Sequence, residues 1–322
     1  MLSKISLRFD PPVACDTPVL FLIFNRAGLS ARVFEKIREV KPPRLFIAAD
    51  GPRKSVSRET ELCQETRSVI DAMIDWPCEV YRLYRNENLG CQKAVSSAID
   101  WFFSQVEEGI ILEDDTLPNS SFFQYSEILL ERYRNYPDVM HISGNNFQFG
   151  RIRGNGAYYA SRFAHSWGWA TWRRAWSKYN ISMPDFPDAW PEIASKCTLS
   201  PEISDWWKRN LEMTKLGQCN TWDYQWHYTI MRHQGICLIP NLNLVKNIGV
   251  GIDATHMQCK NIASTLRNDS LKWYGCPREL SICHEADKFD FDYVIKNKKT
   301  PTLSIRQFFK KLKFQYEANR TR

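Results

Sequence analysis

The chain of 322 residues is 43% hydrophobic and 25% charged, an ordinary globular balance that excludes wholesale disorder, collagen and coiled coil. Its longest purely apolar run, Val19 to Phe24, is far short of the roughly 20 residues of a membrane span. The net charge of +7 is no nucleic-acid footprint, because residues 296–322 hold nine basic side chains against Glu317 and the remainder is near neutral.

Met1 to Asp10 lack an apolar core followed by a small-residue cleavage site, so the chain is expected to stay in the cytosol. Four extended apolar segments follow: Val19 to Phe24, Leu45 to Asp50, Val80 to Tyr84 and Ile110 to Asp115. Their spacing is that of βα units. The first and last are continuously apolar, as strands covered on both faces should be. Helical patterns fill the gaps. Ser30 is placed as the cap of a stretch with Val33, Phe34 and Ile37 on one face, a second pattern runs over 59–73, and a third over 92–106 carries Ala94, Val95, Ala98, Trp101 and Phe102. The alternation predicts an α/β fold with a mostly parallel central sheet and helices on both faces, its ligand site outside the carboxyl ends of the strands.

Beyond residue 150 the alternation stops, and nine of the twelve tryptophans fall between 167 and 226. No Pro/Gly-rich linker intervenes, so the expectation is one domain over 1–260, with a nucleotide half (17–150) and an acceptor half (151–260), then an extension over 261–322. In that extension Thr300-Pro301 opens a helix with Ile305, Phe308, Phe309, Leu312 and Tyr316 on one face. Two readings stand level: a basic helix on an anionic membrane surface, giving a peripheral place on the inner face of the cytoplasmic membrane, or a helix packed on the domain. Ten scattered cysteines without a CxxC pair read as reduced thiols, and Cys276, Cys283 and His284 make a poor zinc site.

The strongest chemical signal is the buried strand Ile110 to Asp115, which ends in Glu113, Asp114 and Asp115. Three like charges repel unless a cation offsets them. Mg²⁺ or Mn²⁺ bridging to a diphosphate fits oxygen ligands of this kind, whereas a plain polar turn would show the same acids. The other strand ends favour a ligand: Phe24-Asn25-Arg26, Asp50-Gly51-Pro52-Arg53 and Asn86-Glu87-Asn88-Leu89-Gly90-Cys91 place polar groups at one edge. GxGxxG is missing after the first strand and GxxxxGK[ST] is missing throughout, so a glycine cradle for phosphate is excluded. In Trp167-Gly168-Trp169, indole faces suit the C–H faces of sugar rings, with core packing as the alternative, and His165 reads as a hydrogen-bonded structural group. In Trp222-Asp223-Tyr224-Gln225-Trp226 a carboxylate lies among aromatics ahead of a helix, a setting for a general base or for a favourable helix-dipole contact. Asp205 beside Trp206 and Trp207 is the second choice for the base.

Taken together, Phe24-Asn25-Arg26, Asp50-Gly51-Pro52-Arg53, Asn88-Leu89-Gly90-Cys91, Ile111 to Asp115 and Trp167-Gly168-Trp169-Ala170 resemble elements of bacterial sugar transferases with the GT-A nucleotide-diphospho-sugar fold. The Glu-Asp-Asp form of the DxD motif is similar to that of the N-acetylglucosaminyltransferase I group. The resemblance covers about residues 17–256. It implies that Asp115 holds a Mn²⁺ or Mg²⁺ ion on the donor diphosphate, that Glu113 touches the ribose with Asp114 in support, and that Asp50 reads the base, expected to be uracil. It also places Asn25, Arg26 and Arg53 at the donor, Trp167 and Trp169 at the sugar, Asp223 as catalytic base and His256 as a second metal ligand. The partners implied are a nucleotide-sugar donor and a saccharide or lipid-linked glycan acceptor, and the chemistry is an inverting transfer in cell-surface glycan synthesis. A sugar nucleotidyltransferase, which would carry a glycine-rich basic loop after its first strand, and a non-catalytic carbohydrate-binding protein are the rival readings.

Overall fold

The computed structural model describes residues 7–8, 14–249, 266, 272–273 and 275–296. His256 and the basic segment 297–322 lie outside the described residues. The chain begins with β1 (Leu7–Arg8), β2 (Val19–Ile23), α1 (Ala27–Val40), β3 (Arg44–Ala49), α2 (Glu59–Ala72), β4 (Glu79–Tyr84), α3 (Gly90–Phe103) and β5 (Glu108–Glu113). It continues through β6 (Thr116–Pro118), α4 (Ser120–Tyr133), β7 (Val139–Ser143), β8 (Tyr158–Ser161), β9 (Trp169–Trp172), α5 (Arg173–Trp176), α6 (Trp190–Lys196), α7 (Pro201–Lys215) and α8 (Asp223–Arg232). Then come β10 (Ile236–Pro240), β11 (Val245–Asn247), β12 (Lys272–Trp273) and α9 (His284–Asp290), which runs into a π-helical turn over Phe291–Ile295.

One eight-stranded sheet organises the molecule, in the order β4-β3-β2-β5-β9-β7-β10-β8. The β4-β3-β2-β5 half is parallel throughout, with Val19 opposite both Leu45 and Ile110. All five residues of β2 are buried, which is why its sequence shows no alternation. At the edge, β4 leaves Glu79 and Arg82 exposed, and Arg82 pairs with Asp71 of α2. Charge on an edge strand discourages pairing with another chain. The α/β architecture with a mostly parallel sheet is therefore as expected, and its four leading strands fall within two residues of their predicted spans.

The two faces of the sheet carry separate cores. Val33, Phe34 and Ile37 of α1, Ile70 of α2 and Phe122, Leu129 and Leu130 of α4 cover one face. Ala98, Ile99 and Phe102 of α3, Trp176 of α5 and Trp226 and Ile230 of α8 cover the other. Each fully buried Val, Leu, Ile or Phe among them contributes roughly 1.5–3 kcal/mol. A third cluster joins Trp190 and Ile193 of α6 to Trp207 and Leu211 of α7 and Tyr228 and Met231 of α8.

Two details differ from expectation. The first helix begins at Ala27, so Ser30 is no cap; it sits inside the helix, where its hydroxyl donates to the Arg26 carbonyl at 2.9 Å and frees itself from any need for water. In the second half, β9 inserts antiparallel between β5 and β7. Its Trp-Ala-Thr-Trp sequence, all buried, belongs to the central sheet.

Candidate active site

In the sheet order, the strand after β2 in sequence lies on one side of it and β5 on the other. Loops leaving β2 and β5 therefore diverge, and the crevice between them is where open α/β sheets take ligands. Arg26 enters it from the end of β2, and Asp114 and Asp115 from the end of β5. The Arg26 guanidinium donates through Nε to Asp114 at 3.2 Å, through Nη2 to the other Asp114 oxygen, and through Nη2 to Asp115 at 3.1 Å. The turn that aims the acids is fixed by Thr116, whose hydroxyl accepts from the Glu113 amide (2.9 Å) and donates to the Glu113 carbonyl (3.0 Å). From the other side Ile248 donates its amide to the Asp115 carbonyl at 2.7 Å, and the Asn247 side chain reaches the Asp115 carboxylate at 3.4 Å. Gly249 lies so close that a Cβ there would stand 2.2 Å from Asp115 Oδ2. Only glycine allows that backbone approach.

Among the described residues Arg26 is the cation paired with this cluster. The balance of charge shows in the titration of the acids. Burial, then the charges of Asp115, Asp114 and Asp223, push Glu113 up to about 8, with Arg26 opposing. Burial likewise raises Asp114 to about 6 against the pull of Arg26. Three carboxylates with one arginine form a site that a further positive charge would stabilise.

Asp223 is the further acid whose charge reaches Glu113. It opens α8, where its carboxylate accepts from the Thr221 hydroxyl and from the Tyr224 amide at 3.0 Å. The preceding loop is laid across the start of α3, with Asn220 accepting from the Gln92 amide at 3.1 Å. This brings the charge of Asp223 near enough to act on Glu113 and on Cys91, whose thiol is pushed up to about 12 chiefly by burial. Asp205, the alternative acid, is exposed on α7.

Other expected site residues have different partners. Asp50 spends both oxygens on the loop ahead of α3, accepting from the amides of Gly51 (2.9 Å), Leu89 (3.0 Å) and Gly90 (3.1 Å) and from the Asn88 side chain (2.9 Å). Asn25 and Arg53 meet on Glu59, which sequence reasoning passed over: Asn25 donates at 2.9 Å, while Arg53 gives it both its amide (2.7 Å) and its guanidinium. Glu59 is only 1% exposed, so these two donors keep a buried carboxylate satisfied. Trp167 is half-buried and packs edge-on against Phe147 with ring centroids 5.0 Å apart.

Trp169 corrects the sequence reading. It has no exposed surface, lying between His141 (5.0 Å) and Trp222 (5.4 Å), both stacked on it, so no sugar face can reach it. His165 donates to Asp290 at 3.0 Å, in keeping with its structural assignment. That partner comes from α9, within the segment expected to be an extension. Asp287 of the same helix accepts from Ser161 (2.6 Å) and from the Arg162 amide (3.1 Å), which fastens α9 to β8.

Neither a protein-family profile nor a curated relative matches the sequence. Among solved structures, the chain is similar to GalNAc-T7 with UDP, GalNAc and Mn²⁺, at 10% identity over 70% of this chain and 43% of that one, with a TM-score of 0.42. It is also similar to UDP-glucose pyrophosphorylase complexed with UDP-glucose (11% identity, 70% of this chain, 89% of that one, TM-score 0.35) and to HddC from Yersinia pseudotuberculosis complexed with GMP-PN (13%, 49%, 77% and 0.30). The chain thus spans less than half of the GalNAc-T7 chain. At these scores none of the three assigns chemistry to this chain.

No group of three or more His, Cys, Asp or Glu among the described residues forms an all-protein cage. The half-buried Asp115 carboxylate, in a cluster short of positive charge, instead suits a cation held by one or two carboxylates and completed by phosphate oxygens.

Proposed function

We propose that the protein is a metal-dependent GT-A glycosyltransferase that moves a sugar from a nucleoside diphosphate, UDP in the first instance, to a saccharide hydroxyl with inversion. The observation that supports this reading most is the meeting of three strand-end carboxylates, one arginine and a further carboxylate in the crevice at the switch point of a parallel sheet. A divalent ion would bring the positive charge this crevice lacks, and a nucleotide diphosphate the oxygen ligands that complete its coordination.

In this reading Asp115 holds the ion, Asp114 fixes Arg26 beside the phosphates, and Glu113 faces the ribose. When bound there, the ion would supply Lewis-acid stabilisation of charge on the diphosphate. Asp223 takes the proton from the acceptor hydroxyl, as general base. Asp50 positions the loop before α3, and Asn25 and Arg53 hold the first and second strand ends to Glu59. The acceptor is a saccharide or a lipid-linked glycan, and the basic segment after residue 296 carries the protein to an anionic membrane surface.

The deciding experiment supplies UDP-sugars, Mn²⁺ and a panel of saccharide acceptors, and follows UDP release together with the anomeric proton of the product by NMR. Acceptor-stimulated UDP release with inverted product is the expected result. Pyrophosphate release from UTP and a sugar phosphate would identify a nucleotidyltransferase. Saccharide binding with no turnover would identify a binding protein.

A further inference from the structure

Behind the first turn of α8 lies a cavity of about 240 Å³, walled by Phe147, Trp206, Trp207 and Tyr224 and lined also by His165 and His227. One of its walls, Tyr224, follows Asp223 in the chain, and another, Phe147, packs on Trp167. We infer that this cavity binds one pyranose unit of the acceptor saccharide. The inference rests on the transferase reading of the neighbouring acids and adds to it the place and size of the acceptor site.

Size limits the occupant first. Sites for drug-sized ligands span roughly 300–1,000 Å³, so this cavity takes a single ring and leaves the rest of an acceptor outside. The aromatic walls offer flat apolar faces of the kind that C–H faces of a sugar ring cover. The polar groups then exclude a purely apolar guest. His165 gives its Nε2 proton to Asp290 at 3.0 Å, so Nδ1 is the ring nitrogen left to bond a ligand. His227 accepts the Ala164 amide on Nδ1 at 3.4 Å, so its own proton sits on Nε2 as a donor. Burial drives this ring down to about 3 and keeps it neutral. The Trp207 indole N–H is buried and has no partner among the described residues. A set of donors and acceptors between aromatic faces matches vicinal hydroxyls, each of which both donates and accepts. Leaving those groups dry would carry a desolvation cost of about 1–3 kcal/mol each.

Saturation-transfer NMR with methyl glycosides of glucose, galactose, mannose and N-acetylglucosamine, at millimolar concentration and without nucleotide or metal, tests the proposal on the full chain. At least one glycoside should receive saturation on its ring protons. Trp206→Ala, which removes a half-buried wall, and His165→Leu, which removes both ring nitrogens, should each weaken that binding at least tenfold while Mn²⁺-dependent UDP binding on the same samples stays as in the wild type. Glycoside binding that survives both variants, or UDP binding with no glycoside bound, overturns the proposal. Glycoside binding lost in the variants, from a protein that ignores UDP and Mn²⁺, upholds the cavity and overturns the transferase reading instead.

Discussion

The carboxyl ends of β3 and β5 stand on either side of β2 at one edge of the sheet, and both present acids, yet they treat them in opposite ways. Asp50, after β3, meets four donors from Gly51, Asn88, Leu89 and Gly90 and is a joint in the scaffold. After β5, Asp114 and Asp115 share Arg26, and burial reinforced by like charge pushes Glu113 and Asp114 above the ordinary carboxylate range. An acid whose oxygens are all engaged serves the fold. A cluster with fewer partners than charges serves a ligand, and the difference shows in the hydrogen bonds where the residue types are identical.

The largest effect is expected at Asp223. Asp223→Asn keeps the shape of the α8 start but removes the proton acceptor, so kcat should fall by about 10² or more, within the range general-base assistance supplies, with donor and metal affinity unchanged. Near-wild-type turnover, with inversion confirmed, would move the role to another acid. Arg26→Gln comes next: it leaves the β5 acids without their cation, so the metal-free protein should melt at a lower temperature, and Mn²⁺ should raise the melting point of the variant more than that of the wild type. Equal shifts in both proteins would show that the cluster is not short of positive charge. Asp50→Ala should behave in the opposite sense. It strips acceptors from the loop before α3 and costs about 2 kcal/mol of stability, while the Mn²⁺ requirement for UDP binding stays. Loss of that requirement at unchanged stability would place Asp50 on the ligand.

Half of this contrast was legible in the sequence. β2, β3 and β5 showed as apolar runs because they are buried in the middle of the sheet, and the acids at 113–115 stood out against the run before them. What a one-dimensional reading could not supply is which side chains meet at long separation. Glu59 looked like one more acid at a helix start until Asn25, from 34 positions away, and Arg53 closed on it. Trp169 looked like a sugar platform because an aromatic residue beside a glycine has the same local pattern whether a ligand or Trp222 stacks on it. The short β9 was hidden for the same reason. The role of α9 was hidden because its segment follows the expected end of the domain, though Asp287 and Asp290 bond to Ser161, His165 and Gln148.

The smallest expected effect concerns the histidines of that second half. His141 accepts the Trp226 indole proton on Nδ1 at 3.2 Å and donates from Nε2 to the His165 carbonyl at 3.1 Å, which leaves the buried ring no room for a second proton. Burial pushes both His141 and His227 down to about 3. Unfolded histidine titrates near 6.5, so as the pH falls the unfolded chain binds protons that the fold refuses, and stability is lost from about 6.5 downward. A His141→Gln variant that remains folded should show a shallower fall in melting temperature between pH 6.5 and 4.5 than the wild type. An unchanged slope would mean that the imidazole does not titrate on unfolding in that window.

The central claim is that the end of β5 binds a nucleotide diphosphate through a divalent ion held by Asp115. Isothermal titration of UDP into the wild-type protein and into Asp115→Asn, each with Mn²⁺ and with EDTA, addresses it most directly. The account predicts UDP binding by the wild type that depends on Mn²⁺, and at least a hundredfold loss of that affinity in a variant whose melting temperature shows it is folded. Equal UDP affinity with and without Mn²⁺, or a folded Asp115→Asn protein that binds UDP with Mn²⁺ as the wild type does, would contradict it.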